Sequence, residues 1–123
     1  MKTRFTITEQ NENSLFTQVC VENIISGEYI IILPKLGARL NSAYLKYEDA
    51  LIPVIRELKD ESLKSKDEIF NNAKLFPFAN RIRKGKYSFQ NNTYELPLNY
   101  VEEENACHGF LYDAGFDMIS KNI

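Results

Sequence analysis

Little in this chain can bind a metal or form a covalent staple. Its 123 residues include one histidine, His108, and two cysteines, Cys20 and Cys107. Two cysteines make no disulfide framework. A single His and no Cys-x-x-Cys pair leave no basis for a dedicated zinc site. Charge of one sign is also missing: 15 Lys and Arg stand against 17 Asp and Glu, a net charge of −2. That balance argues against nucleic-acid binding, which usually shows a basic surplus. The longest apolar run, Tyr29 to Leu33, is far short of the roughly 20 residues needed to cross a bilayer. After Met1-Lys2 the chain reads Thr3-Arg4-Phe5-Thr6, without the apolar stretch of a secretory leader. A soluble cytoplasmic protein with no membrane partner is expected.

Apolar and aromatic residues are plentiful: 44% of the chain is hydrophobic, with 8 Phe and 7 Tyr. This is enough for one folded, β-leaning domain over residues 1–123. Leu15, Thr17, Val19 and Val21 alternate with Phe16, Gln18, Cys20 and Glu22, so the two sets share opposite strand faces. Ser26-Gly27 supplies a turn, and Glu28 to Leu33 returns as a second strand to complete a hairpin. Lys35 to Ala38 is a connection, Arg39 to Tyr47 a third strand, and Leu51 to Ile55 a short fourth weakened by Pro53.

From Arg56 to Asn72 the sequence turns polar. Ser65 and Glu68 fit a capping box, so at most a short helix near 66–73 is expected. Tyr87 to Leu96 predicts a hairpin with a two-residue turn at Asn91-Asn92, placing Phe89 opposite Tyr94 and Tyr87 opposite Leu96. Glu102 to Glu104 is a charged loop, and apolar character resumes from His108 to Ile119. No repeat, low-complexity tract or linker divides the chain.

Two stretches could carry chemistry. Phe76-Pro77-Phe78-Ala79 leads into Asn80-Arg81-Ile82, so Arg81 is expected to emerge at the edge of a core. A guanidinium offers five donors and stays charged, which suits gripping hydroxyl or ring oxygens. A structural ion pair or a capped loop carbonyl fits the same spacing. His108 in extended geometry shares a face with Phe110, while Cys107 points away, so the adjacent thiol and imidazole are not a nucleophile–base pair. A neutral imidazole can contact sugar hydroxyls or move a proton near neutrality. An imidazole satisfied by backbone fits equally. The basic cluster Arg81, Arg83, Lys84 and Lys86 has no Gly-rich phosphate loop and reads as a solvated strand edge.

In these segments the chain resembles the aldose 1-epimerase (galactose mutarotase) family. Phe76-Pro77-Phe78-Ala79-Asn80-Arg81-Ile82, with Gly85 and Tyr87, is similar to the family's Asn-Arg-Ile signature. His108-Gly109-Phe110 is similar to its His-Gly element. Leu36-Gly37-Ala38-Arg39-Leu40-Asn41-Ser42 and Tyr94-Glu95-Leu96-Pro97-Leu98-Asn99 are weaker matches in the right order. The resemblance implies an all-β, antiparallel β-sandwich of the galactose mutarotase type, of which this chain is the N-terminal portion. It implies interconversion of α and β anomers of an aldose through the open chain, with no metal or organic cofactor. The ligand would be a monosaccharide, a hexose such as galactose or glucose. By motif position Arg81 and His108 would bind the sugar and Asn80 would support the loop.

The family's remaining groups have no counterpart here. A second His acts as the acid, a late Glu as the base, and an Asp binds hydroxyls, all downstream of the His-Gly element. This chain holds one His, so no catalytic residue is assigned and little activity is expected by the usual mechanism. The other function considered is a non-catalytic carbohydrate-binding or assembly module. Phosphorylated hexoses rank lower, on Arg83 and Lys84. Exposed strand edges of a partial sandwich predict self-association.

Overall fold

The computed structural model describes residues 3–59 and 68–121. The chain divides into two compact units, Met1–Lys74 with Tyr112–Ile123, and Leu75–Leu111.

The first unit is an antiparallel meander in chain order: β1 (Phe5–Gln10), β2 (Gln18–Asn23), β3 (Tyr29–Leu33), β4 (Arg39–Tyr47) and β5 (Ala50–Pro53). β4 has the bounds its sequence predicts, and β2–β3 is the expected hairpin, with Val19 opposite Ile32 and Val21 opposite Ile30. β2 begins later than the alternation suggests. Residues before it are held in turns, with Thr17 Oγ1 donating to the Ser14 carbonyl at 2.7 Å. β1 was not anticipated, although Phe5 and Ile7 alternate with Thr6 and Thr8. β5 stops at Pro53 on the edge of the sheet, where a missing N–H costs no ladder bond.

Leu33, Leu36 and Leu58 form the buried core cluster, with Phe16 and Ile31 against it. Each fully buried Leu contributes about 1.5–3 kcal/mol. Beside this cluster lies a charge: Arg39 is 0% exposed. Its Nε donates to the Leu36 carbonyl (2.9 Å), Nη1 to Ile69 (2.9 Å) and Asn71 (3.0 Å), and Nη2 to Tyr112 (2.6 Å). A buried cation is tolerable only when its donors are taken. Asn41 does similar work, accepting from the Leu58 N–H at 3.0 Å and so tying the segment after β5 to β4.

Residues 66 and 67 of the expected helix near 66–73, and the capping Ser65 before them, lie outside the described residues. From Glu68 onward the backbone forms turns, with the Asn71 N–H donating to Glu68 (2.9 Å) and the Ala73 N–H to Phe70 (3.1 Å). The Ile69 carbonyl, which a helix to residue 73 would pair with the Ala73 N–H, is engaged by Arg39 instead.

The second unit has two short antiparallel pairs. β6 (Arg81–Arg83) pairs with β9 (Asn105–Cys107), and β7 (Lys86–Phe89) with β8 (Asn92–Glu95). A single 3₁₀ turn, Val101–Glu103, precedes β9. The β7–β8 hairpin exists, but its register differs from the expected one. Gln90 and Asn91 are the turn residues, at φ 48° and 63°, so Phe89 faces Asn92 and Tyr87 faces Tyr94. Every cross-strand pair further along gains a contact. The Tyr87 and Tyr94 rings stack at 5.1 Å, Ser88 and Thr93 hydroxyls meet at 3.3 Å, and Lys86 pairs with Glu95 at 3.3 Å. These contacts replace the all-apolar face that the other register would have given.

Candidate functional site

The antiparallel pair β6–β9 brings the two chemical segments together, with Arg81 opposite Cys107. One residue beyond that pair on each strand stand Asn80 and His108. They exchange two hydrogen bonds: the His108 N–H donates to the Asn80 carbonyl, and the Asn80 N–H donates to His108 Nδ1, each at 3.0 Å. Both residues have left-handed backbones, φ 65° and 61°. Asn accepts such a backbone readily, and its Oδ1 also takes the Arg81 N–H at 2.9 Å. The expected extended geometry at His108 is therefore corrected. The strand ends at Cys107, and His108-Gly109 turn through positive φ, which is what returns the ring to Asn80.

Two neighbours fix that turn. Gly109, at φ 74°, has no room for a Cβ, which would lie 2.0 Å from the Phe76 carbonyl oxygen. The Phe110 N–H donates to that same carbonyl at 2.7 Å. On the strand itself, Asn99 grips both backbone groups of Cys107, donating to its carbonyl at 2.7 Å and accepting from its N–H at 2.6 Å.

Arg81 is not at a core edge. Its side chain is 47% exposed and Nε donates to Glu103 Oε2 at 3.1 Å. The guanidinium also lies over the Tyr100 ring, 5.3 Å from its centre. Glu103 raises the guanidinium's affinity for its proton further, so Arg81 stays charged. Among the described residues the buried arginine is Arg39, in the other unit. Glu103 and Tyr100 went unrecognised in the sequence. Glu103 sits in an acidic run that reads as a solvated loop, and only the 3₁₀ turn shows which carboxylate reaches back.

His108 is half-buried. Burial first, and the Arg81 charge second, push its imidazole below the ordinary histidine value. The ring is thus neutral at physiological pH and lies within electrostatic reach of the guanidinium. Cys107 is buried, and burial raises its thiol. It is no nucleophile at neutral pH. By strand alternation Ile82 faces away from Arg81. On Ile82's side a cavity of about 320 Å³ is lined by Pro77, Phe78, Ile82, Tyr87, Leu96 and Phe110. Its walls are apolar, and Phe78 and Phe110 meet edge to face at 6.0 Å. Among the described residues, no cluster of His, Cys, Asp and Glu could hold a metal ion, and no helix is long and apolar enough to cross a membrane.

The antiparallel all-β architecture with almost no helix is that of the galactose mutarotase-like fold. A galactose mutarotase-like protein from Clostridium acetobutylicum superimposes with a TM-score of 0.69 at 24% identity, over 98% of this chain and 35% of that one. Galactose 1-epimerase from Lactobacillus acidophilus NCFM matches with a TM-score of 0.52 at 27% identity, over 88% of this chain and 30% of that one. The Aldose 1-epimerase family model matches residues 23–122, and the chain belongs to that family. It spans about a third of the length of these solved relatives.

Proposed function

We propose that this chain contributes the sugar-binding part of an aldose 1-epimerase site, with Arg81 and His108 contacting the aldose and Asn80 supporting both. The observation that carries this reading is the paired hydrogen bonding of Asn80 and His108, which joins the Asn-Arg-Ile and His-Gly segments beside the Arg81 charge. In this reading Arg81 gives sugar oxygens a permanent positive charge, through the terminal nitrogens that Glu103 does not engage. Fixed donors of that kind stabilise charge that develops as a ring opens. His108 adds a hydrogen bond from a neutral ring.

Anomer interconversion needs one group to take the anomeric hydroxyl proton and another to protonate the ring oxygen. One histidine in the sequence, held neutral, does not supply the pair. We therefore assign to this chain a partial active site within the N-terminal part of a mutarotase-like β-sandwich domain, 1–123, working on a hexose such as galactose or glucose in the cytoplasm without a cofactor. Polarimetry of freshly dissolved α-D-galactose tests the catalytic side. The expected rate equals spontaneous mutarotation, whereas acceleration abolished by His108→Asn would place catalysis on this chain. Calorimetric titration with galactose and glucose tests the binding side; heat that disappears in Arg81→Ala is expected, and no heat from either sugar contradicts it.

A second reading, a non-catalytic carbohydrate-binding or assembly module, is favoured by the outer strand β5. Leu51 and Ile52 on that edge are each 41% exposed, and an exposed apolar edge invites strand pairing. Self-association through it predicts a sedimentation coefficient that rises with concentration. A constant monomer value up to high concentration contradicts this.

A further inference from the structure

We propose that the Asn80 amide holds His108 in one neutral tautomer, with the proton on Nε2, so that the ring meets its ligand as a hydrogen-bond donor to an acceptor oxygen and never as a base. The identity of that oxygen, a sugar's, rests on the function proposed above; the tautomer does not.

A backbone N–H can only donate. With the Asn80 N–H 3.0 Å from Nδ1, that nitrogen must present its lone pair. In a neutral imidazole the proton then resides on Nε2. The contact is doubly anchored, because the His108 N–H returns to the Asn80 carbonyl. Rotating the ring out of this arrangement would forfeit a bond that the backbone geometry of both residues supports. Asn80 Oδ1 on the Arg81 N–H and Asn99 on Cys107 hold the two flanking strands in place.

A second proton would have to enter at Nδ1, setting one N–H against another. The surrounding groups oppose it as well. Arg81 carries a permanent positive charge that acts on the ring, and Glu103, the carboxylate of this cluster, is turned to Arg81 Nε and Asn105 Nδ2. Cys107 stays a thiol, and Tyr100 lies under the guanidinium. The chemical consequence is specific. Nε2 can donate to the lone pair of a ring oxygen or a hydroxyl, but it cannot accept the anomeric hydroxyl proton, because its own proton already occupies the position. That proton must go to another group.

Nuclear magnetic resonance on the chain labelled with ¹⁵N tests this directly, since the protein has a single histidine. Long-range proton–nitrogen correlations at pH 7.5 are expected to show Nε2 protonated and Nδ1 bare. A scalar coupling should pass from the Asn80 amide nitrogen to Nδ1 across their hydrogen bond. A ring protonated at Nδ1, a tautomer mixture without that coupling, or an imidazolium at this pH overturns the proposal. Galactose and glucose are then added. A shift at Nε2 with the tautomer unchanged supports both the tautomer and the sugar site. No shift, with tautomer and coupling intact, sinks the sugar site and leaves the tautomer standing. A sugar-induced move of the proton to Nδ1 overturns the tautomer and upholds the sugar site.

Discussion

Arg39 and His108 are both partly or wholly removed from water, and each is held by backbone groups, with opposite consequences. Arg39 keeps its charge by donating to four carbonyls, although burial lowers its pKa below the ordinary arginine value. Replacing it with Met removes all four bonds, and a buried carbonyl left unsatisfied costs on the order of 1–3 kcal/mol. Arg39→Met is therefore expected to lower the urea midpoint of unfolding by an amount equivalent to about 3 kcal/mol or more. An unchanged midpoint would mean that the carbonyls find water. His108 behaves in the other direction. Its folded pKa is depressed, so between the folded and unfolded values the unfolded chain binds more protons, and stability rises with pH there. The stabilisation is complete above the unfolded value of about 6.5 and is lost as pH falls through the lower folded value. Unfolding free energy measured from pH 8 down to pH 5 should thus fall below pH 6.5. His108→Asn, which keeps an acceptor near Nδ1 and tolerates the positive φ, should flatten that fall. An unaltered pH profile in the variant would locate the titration elsewhere.

At the scale of elements, the turn into and out of β9 is the most sensitive feature. Gly109→Ala places a methyl 2.0 Å from the Phe76 carbonyl oxygen and forces an L-residue to φ 74°. The left-handed backbone alone costs roughly 1–2 kcal/mol, and the clash adds to it. Faster hydrogen exchange at the Phe110 amide, whose bond to Phe76 is broken, is the expected signature. Exchange as slow as in the parent would show that the backbone yields without cost. The hairpin answers to the same physics with the opposite sign. Gln90 sits at φ 48°, so Gln90→Gly relieves strain and should stabilise the chain by up to roughly 1 kcal/mol.

The hairpin also marks where sequence reading stops. Alternation around Asn91-Asn92 locates two strands but does not choose between registers one step apart. The choice depends on pair contacts, Tyr87 with Tyr94 and Lys86 with Glu95, that exist only once the strands meet. Likewise β4 is visible from end to end, yet nothing local marks Arg39 as its buried residue, because the carbonyls it satisfies come from residues 36, 69, 71 and 112. Asn80, Arg81 and His108 were legible as types at a spacing. How Asn80 and His108 join was not, since it depends on left-handed backbone at two residues that no periodicity predicts. Glu103 was hidden among like charges, and only the 3₁₀ turn singles it out.

At the scale of the whole molecule, a family member that spans about a third of its solved relatives carries part of their fold. Leu45, Leu51, Ile52 and Val54 are all exposed on or beside β5, an outer strand of the meander. The residues proposed to bind sugar fall within one compact unit, Leu75–Leu111, so the proposed recognition would call on local structure only. Substituting Arg81, an exposed residue with a surface ion pair, should leave the unfolding midpoint close to the parent's. That makes it a clean probe of function.

The most direct measurement is therefore a galactose titration of the folded chain followed at the Arg81 guanidinium resonances, in the parent and in Glu103→Gln. Saturable shifts at Arg81 Nε and Nη are predicted, with weaker binding once Glu103 no longer holds the side chain over Tyr100. Guanidinium signals that stay fixed through a concentrated sugar series, while the chain remains folded, would contradict the account.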